Sequence, residues 1–189
     1  MNIDYDSALN SLIKEPLSVG IGEELTGVKY VILALDQDTF QLNSPNSSGL
    51  CGIILQFGRV ELHLYPGRDR RLRATGKYFN IEARVRDASD TATWDAELTT
   101  VMNAETSELW SHLISQTASS VDVVASDLTP QVIVIRFGFS EVSIATGYSG
   151  EPIIVGDGDE ILINPWGNLE GQPTTLGNNW NIIAELRQT

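Results

Sequence analysis

Residues 55–64 read Leu55-Gln56-Phe57-Gly58-Arg59-Val60-Glu61-Leu62-His63-Leu64 and carry the clearest strand signal in the chain. A glycine separates two runs, and in the second run apolar residues alternate with Glu61 and His63. Alternation with a period of two places side chains on opposite faces of a strand, and a glycine between two such runs favours a tight turn. The stretch therefore predicts an antiparallel β-hairpin with one polar face.

The same pattern recurs eighty residues later, in Ile135-Arg136-Phe137-Gly138-Phe139-Ser140-Glu141-Val142-Ser143-Ile144. The ungapped match extends over residues 51–84 and 131–164 and retains seven identities in thirty-four positions: Ile53/Ile133, Phe57/Phe137, Gly58/Gly138, Glu61/Glu141, Gly67/Gly147, Gly76/Gly156 and Ile81/Ile161. Two interpretations remain open. Either the chain contains an internal duplication, or two hairpins with glycine turns align because both follow the same alternation.

Short apolar runs bounded by turn residues predict further strands around the two hairpins. The predicted strands are residues 28–35, 40–42, 53–57, 60–65, 78–85, 121–125, 132–137, 141–145, 153–155 and 160–163, and a short element follows a long loop at 180–186. Two helices are predicted as well. The first covers residues 4–15, with Pro16 beyond its end, and the second covers 104–117, with an apolar face of Leu109, Trp110, Leu113 and Ile114.

These elements predict an α+β protein, mainly antiparallel β-sheet with two helices, in which residues 1–189 form a single globular unit. If the repeat is a duplication, the unit consists of two related helix-plus-meander halves, residues 1–100 and 101–189. At 189 residues and 42% hydrophobic content the chain is long enough to bury a sizeable core.

The composition points to a cytoplasmic protein of bacterial origin. The acidic N-terminus has no apolar segment typical of a secretory signal, and no apolar run approaches the roughly 20 residues that cross a bilayer. Cys51 is the only cysteine, so an intrachain disulfide is excluded. The net charge of −13 argues against a nucleic-acid partner, because phosphate binding needs a positive surface.

The charges are distributed unevenly along the chain. Residues 59–86 contain eight of the twelve basic side chains and three acidic ones, a charge of +5, whereas the remainder carries −18 from four basic and twenty-two acidic residues. The aligned copies also differ, with +4 over residues 51–84 and −4 over 131–164. Such asymmetry favours oriented contacts with a partner or with a second copy.

Two features are candidate binding residues. Four arginines lie within six residues beside Gly67, at Arg68, Arg70, Arg71 and Arg73, and guanidinium groups bind carboxylates and phosphates in bidentate fashion. The alternative, which we favour, is a solvated loop whose charges are paired by the chain's own carboxylates. Trp166, between Pro165 and Gly167, is a candidate exposed anchor for a protein contact.

The chain contains no motif that predicts catalysis. His63 and His112 lack a second ligand at metal-binding spacing, and residues 156–160 resemble a fragment of a calcium loop but favour a hairpin turn. We therefore predict no catalytic residue, no metal and no cofactor, and interpret Cys51 as a small buried hydrophobe.

The leading functional hypothesis is a non-catalytic cytoplasmic protein-binding module, for instance a neutralising or immunity-type partner of a basic protein. One alternative is a small anionic-ligand-binding protein or enzyme that uses the arginine loop at residues 68–73. The other is a self-associating structural protein whose oppositely charged halves meet.

Overall fold

A computed structural model describes residues 4–45, 50–67, 81–87, 97–126, 129–147, 160–163 and 180–188. Within these residues the protein is mostly antiparallel β-sheet, arranged as two five-stranded sheets with one helix. The predicted strands at 153–155 and at the beginning of 78–85 lie outside the described residues. No helix in the described ranges is long and apolar enough to cross a membrane.

The helix, α1, spans residues 5–18 and confirms the first predicted helix. It consists of an α-helical segment, a π-helical turn and a second α-helical segment: Tyr5–Leu9, Asn10–Lys14 and Glu15–Ser18. Pro16 lies inside the helix rather than beyond its end. It follows the π-helical turn Asn10–Lys14, and π-helical turns and prolines both interrupt the regular i to i−4 hydrogen-bond pattern of a helix. Leu9, Ile13 and Leu17, spaced by four residues, are buried in the core.

The second predicted helix, at residues 104–117, is wrong. This segment is a series of turns in which backbone N–H groups bond three residues back, from Ser107 to Ala104, Trp110 to Ser107 and Leu113 to Trp110. Two isolated bonds, from Ser111 to Ser107 and from Ile114 to Trp110, span four residues without forming a continuous helix. Ser115 has a φ of +68°, a left-handed conformation that a right-handed helix does not contain. Trp110 and Leu113 are still buried, because turns of this spacing also bring every third side chain to one side.

Of the described strands, those before residue 104 form sheet 1 and those after it form sheet 2. The strands of sheet 1 are β1 (Leu25–Leu33), β2 (Leu50–Phe57), β3 (Val60–Pro66), β4 (Ile81–Asp87) and β5 (Thr99–Asn103), in the order β4-β3-β2-β1-β5. Those of sheet 2 are β6 (Ser120–Ser126), β7 (Thr129–Phe137), β8 (Ser140–Gly147), β9 (Glu160–Ile163) and β10 (Trp180–Arg187), in the order β10-β6-β7-β8-β9. Each sheet is therefore a four-stranded meander whose first strand also pairs with the fifth.

The strands differ from the prediction in two places. Residues 40–42 form no strand, because Phe40 follows a turn in which its N–H bonds Asp36 O, and its ring packs edge-on against Tyr30 at 5.8 Å between centroids. Strand β5 was not predicted at all. Its sequence, Thr-Thr-Val-Met-Asn, has the β-branched residues typical of strands but no apolar alternation.

The two central hairpins have the same register. In β2–β3, Ile53 pairs with Leu64 and Phe57 with Val60, and in β7–β8, Ile133 pairs with Ile144 and Phe137 with Ser140. Every pair of residues 53–64 in the first hairpin recurs in the second with a shift of eighty residues. Gly58 and Gly138 occupy the same turn position with φ of +60° and +63°, a conformation that favours glycine.

One hydrophobic core lies between the sheets. Strands β2 and β3 contact β9, and β4 contacts β7, while α1 packs against β4. The core takes the inward-facing residues of both sheets, including Ile53, Leu55 and Phe57 of β2 and the corresponding Ile133, Ile135 and Phe137 of β7. Burial of these alternate side chains explains why the period-two pattern identified both hairpins.

Backbone hydrogen bonds join residues 22–25 to residues 115–118 in two matching pairs, and we call this contact the crossing. Leu25 N donates to Gln116 O and Ala118 N donates to Glu23 O, each at 3.0 Å. Gly22 N donates to Ala118 O and Ser115 N donates to Leu25 O, each at 2.8 Å. In each pair, replacing every residue by the one ninety-three positions away in the other half turns one bond into the other. The same shift relates β1 to β6 when the pairing of β1 with β2 is compared with that of β6 with β7. The crossing is therefore two-fold symmetric in its hydrogen bonding.

Candidate functional site

The residues predicted as binding sites lie outside the described part of the chain. Arg68, Arg70, Arg71 and Arg73 fall in 68–80, and Trp166 falls in 164–179. Their role in binding stays a prediction. The structure describes both ends of the positively charged stretch at residues 59–86. Arg59 is exposed at the β2–β3 turn, and Arg84 is exposed on β4.

A charged cluster lies on the outer face of sheet 1, opposite the core. Lys29 Nζ of β1 lies 2.6 Å from Glu61 Oε1 of β3, and His63 Nε2 donates to Glu61 Oε2 at 3.1 Å. Glu61 and His63 are buried, whereas the Lys29 side chain is half-buried. Glu61 thus accepts bonds from two neighbours, which is how a buried carboxylate is normally stabilised.

Arginine and tyrosine side chains extend this cluster towards β4. The Arg84 guanidinium lies over the Tyr65 ring, 5.4 Å from its centroid, a typical cation–π geometry. Burial raises the pKa of Tyr65 to about 12, so the phenol stays protonated at neutral pH. Burial also lowers the pKa of His63, and the positive charges of Arg86 and Lys29 act in the same direction, while Glu61 opposes them. The ring is therefore neutral at pH 7.

The lowered pKa of His63 predicts that stability decreases on mild acidification. Because its pKa in the folded protein lies below the unfolded value of about 6.5, the unfolded chain binds the proton more readily as the pH falls through that value. We expect the free energy of unfolding, measured with urea, to fall between pH 7.5 and 5.5. His63→Gln should reduce this decrease, and an unchanged pH dependence in the variant would assign it to other groups.

A second charged cluster occupies the same place on sheet 2. The Arg136 guanidinium of β7 contacts the buried Asp122 carboxylate of β6 and lies 3.1 Å from Glu141 Oε2 of β8. Arg187 of β10 lies 3.3 Å from Asp122 Oδ1. Burial disfavours the charge on Arg136, but the hydrogen bonds and negative charges of Asp122 and Glu141 outweigh it and raise the pKa of the guanidinium.

The two clusters correspond residue by residue through the strand pairings. Glu61 corresponds to Glu141 and Gln56 to Arg136, each eighty residues apart. Lys29 pairs with Ile54, and Asp122 pairs with Val134, so these two residues also correspond. One charge is thus retained and one is reversed. The sequence alignment identified the Glu61/Glu141 identity but gave no sign that either carboxylate is paired.

Exposed apolar residues collect at the β5 end of sheet 1. We call this surface the β5 edge and define it by Leu33, Leu35, Leu98 and Val101, all exposed. Leu33 pairs with Thr99 and Val31 with Val101, so Leu33 and Val101 are diagonal neighbours on one face. Ala34 N donates to Leu98 O at 2.9 Å, which joins the backbone beside Leu35 to the backbone of Leu98 at this end of the sheet. Sequence reasoning missed this surface because it missed β5.

Carboxylates surround the β5 edge in the sequence. Asp36 and Asp38 follow the apolar residues of β1, and Glu97 precedes β5. In residues 33–45 and 97–108 there are five carboxylates and neither lysine nor arginine. The segments that carry the β5 edge are thus acidic in sequence, although Glu105 lies near Gly27 at the other end of β1. Apolar patches with a polar rim are typical of protein contacts.

An open groove of about 460 Å³ lies along the contact between α1 and β4. Its walls include Leu12 and Pro16 of the helix and residues 83–87 of the strand. Within the described ranges, no group of three or more histidine, cysteine or carboxylate side chains is placed to hold a metal ion. Cys51 is half-buried at the beginning of β2, rather than fully buried as predicted.

Neither the family models, the curated proteins nor the solved structures contain a match to this chain.

Proposed function

We propose that this chain is a non-catalytic cytoplasmic protein-binding module whose partner is a basic protein. The proposal is based on the distribution of charge: several basic side chains are paired within the protein, whereas other segments contain many more acidic than basic residues. Lys29, Arg136 and Arg187 are directed to the chain's own carboxylates on the sheet faces. Residues 4–45 and 97–108, by contrast, contain ten carboxylates and two lysines.

A surface of this sign attracts positively charged partners and speeds their association. An acidic protein that masks the basic surface of another protein acts as a neutralising or immunity-type partner. The apolar β5 edge supports a protein rather than a small cation as the partner, because an apolar surface contributes to binding only when it is covered.

The purified chain, immobilised at low salt, should retain a specific basic protein from a cell lysate. An unrelated protein of similar size and net charge on the same resin identifies proteins that bind any acidic surface. The retained protein should then be purified and titrated calorimetrically, and its dissociation constant should rise with salt concentration. If the chain retains nothing beyond what the control retains, the proposal is wrong.

We also propose that the two halves arose by duplication, with the division after Asn103 instead of after residue 100 as predicted, because β5 (Thr99–Asn103) completes sheet 1. The equal strand order, the eighty-residue shift between hairpin registers and the symmetric crossing support this proposal. Chance similarity of two hairpins accounts for equal turns but gives no reason for matching bonds between residues 22–25 and 115–118. The halves have since diverged in charge at Lys29 and Asp122.

A further inference from the structure

We infer that the basic partner binds by adding an extended strand to β5. This inference rests on the proposed function and names the site and the form of the partner segment. Strand β5 ends its sheet in the described part of the chain, and a strand at the end of a sheet offers backbone groups to an incoming strand.

The backbone of β5 has one side directed away from β1. Ala104 N donates to Val28 O at 2.8 Å and Leu98 O accepts from Ala34 N, so the even-numbered residues from 98 to 104 bond to β1. Backbone groups alternate in direction along an antiparallel strand. The N–H and C=O groups of Val101 and Asn103 therefore point outward, where a partner strand would pair with them.

The side chains around this backbone define the partner's chemistry. Val101 is 46% exposed and Leu33 is 42% exposed on one face, so a partner strand gains apolar contacts at alternate positions. Asp36 and Asp38 lie beside these residues in sequence and favour lysine or arginine at the intervening positions. The segment that fits is extended and alternates apolar with basic residues.

The other sheet ends are less suited to this partner. Helix α1 packs against β4, and β9 is described over four residues, Glu160–Ile163. Strand β10 exposes Ile182 to 50%, at the position that corresponds to Val101, but Arg187 lies on the same strand. Ile182 is therefore a matched control for Val101, since the two differ in surroundings and not in place or exposure.

The test uses the full chain and two peptides of identical composition. One is acetyl-(Lys-Val)5-amide, and the other has five lysines followed by five valines. The alternating peptide should bind at least ten times more tightly than the block peptide. Val101→Lys should weaken that binding at least tenfold, whereas Ile182→Lys, which adds the same charge at the corresponding position, should change it less than twofold.

A second pair of variants does not alter the strand. Asp36→Asn with Asp38→Asn should weaken binding of the alternating peptide severalfold, and Asp4→Asn with Asp6→Asn, which removes the same charge elsewhere, should not. Circular dichroism confirms that each variant is folded. If Val101→Lys does not fold, the Asp36 and Asp38 pair decides.

Three results would overturn the inference. The first is that the alternating peptide does not bind, and the second is that Val101→Lys and Ile182→Lys weaken its binding equally. The third is that light scattering shows a wild-type dimer that Val101→Lys converts to a monomer, because β5 would then be a contact between copies of this chain. The proposed function is tested separately. If the chain retains a basic protein from lysate and Val101→Lys binds that protein equally well, the proposed function holds but the partner binds at a site other than β5.

Discussion

Replacing Trp110 with alanine is expected to lower the free energy of unfolding by about 3–5 kcal/mol, the usual range for a large aromatic side chain removed from a core. Trp110 is fully buried, and its Nε1–H donates to Tyr30 Oη at 2.6 Å. Urea unfolding followed by circular dichroism measures the loss. A decrease below about 1 kcal/mol would mean that the turns at 104–117 do not fix Trp110 in the core.

Conservative variants separate the hydrogen bond from the packing. Burial raises the pKa of Tyr30 to about 12, so its hydroxyl stays protonated and available to Trp110 and Ser107. Tyr30→Phe leaves the buried indole N–H without this acceptor and should cost about 1–3 kcal/mol. Combining it with Trp110→Phe removes both polar groups, so the double variant should lose less than the sum of the two single losses.

Replacing Asp122 with lysine is expected to lower the free energy of unfolding by about 3–5 kcal/mol, as for other buried ion pairs that lose one partner. The change removes the carboxylate shared by Arg136 and Arg187 and adds a third positive charge beside them. Urea unfolding at neutral pH measures this loss, and a loss that disappears at high salt would place the cluster in solvent rather than in the folded interior.

A compensating change tests whether the two clusters are equivalent. Asp122→Lys together with Arg136→Gln places lysine, glutamine and glutamate in sheet 2 where sheet 1 has Lys29, Gln56 and Glu61. We expect the second change to recover at least about 1 kcal/mol, because neighbours in one charged cluster are coupled. Arg136→Gln alone, which leaves Asp122 with Arg187, is the control and should destabilise. A double variant no more stable than Asp122→Lys would contradict the correspondence.

The strands that the sequence predicted best are those whose alternate residues enter the core. Phe57 and Phe137 are buried at the ends of their strands, so burial and periodicity coincide. Strand β5 lacks that signal because it lies at the end of a sheet and keeps Val101 exposed. The helix predicted at residues 104–117 was wrong because Trp110 and Leu113 have a spacing typical of helices, and consecutive turns give the same spacing of buried residues.

The charged clusters could not be predicted for a different reason. The alternation places Glu61 and His63 on the outer face, and a polar residue there is normally solvated. Both are buried, and Lys29, which contacts Glu61, comes from thirty-two residues away along the chain. Composition predicted the acidic excess, but only the strand order shows which bases are already paired.

The separation of the two sheets along the chain has a consequence for synthesis on the ribosome. Every strand of sheet 1 precedes residue 104, and every strand of sheet 2 follows residue 119. At about 5–20 residues per second, translation of the remaining residues takes several seconds after β5 is made. During that time the first sheet can complete its backbone pairing while its inner face, with Ile53, Leu55 and Phe57, waits for the second. The inner face of the first sheet therefore stays without its packing partner until the strands of the second sheet are made.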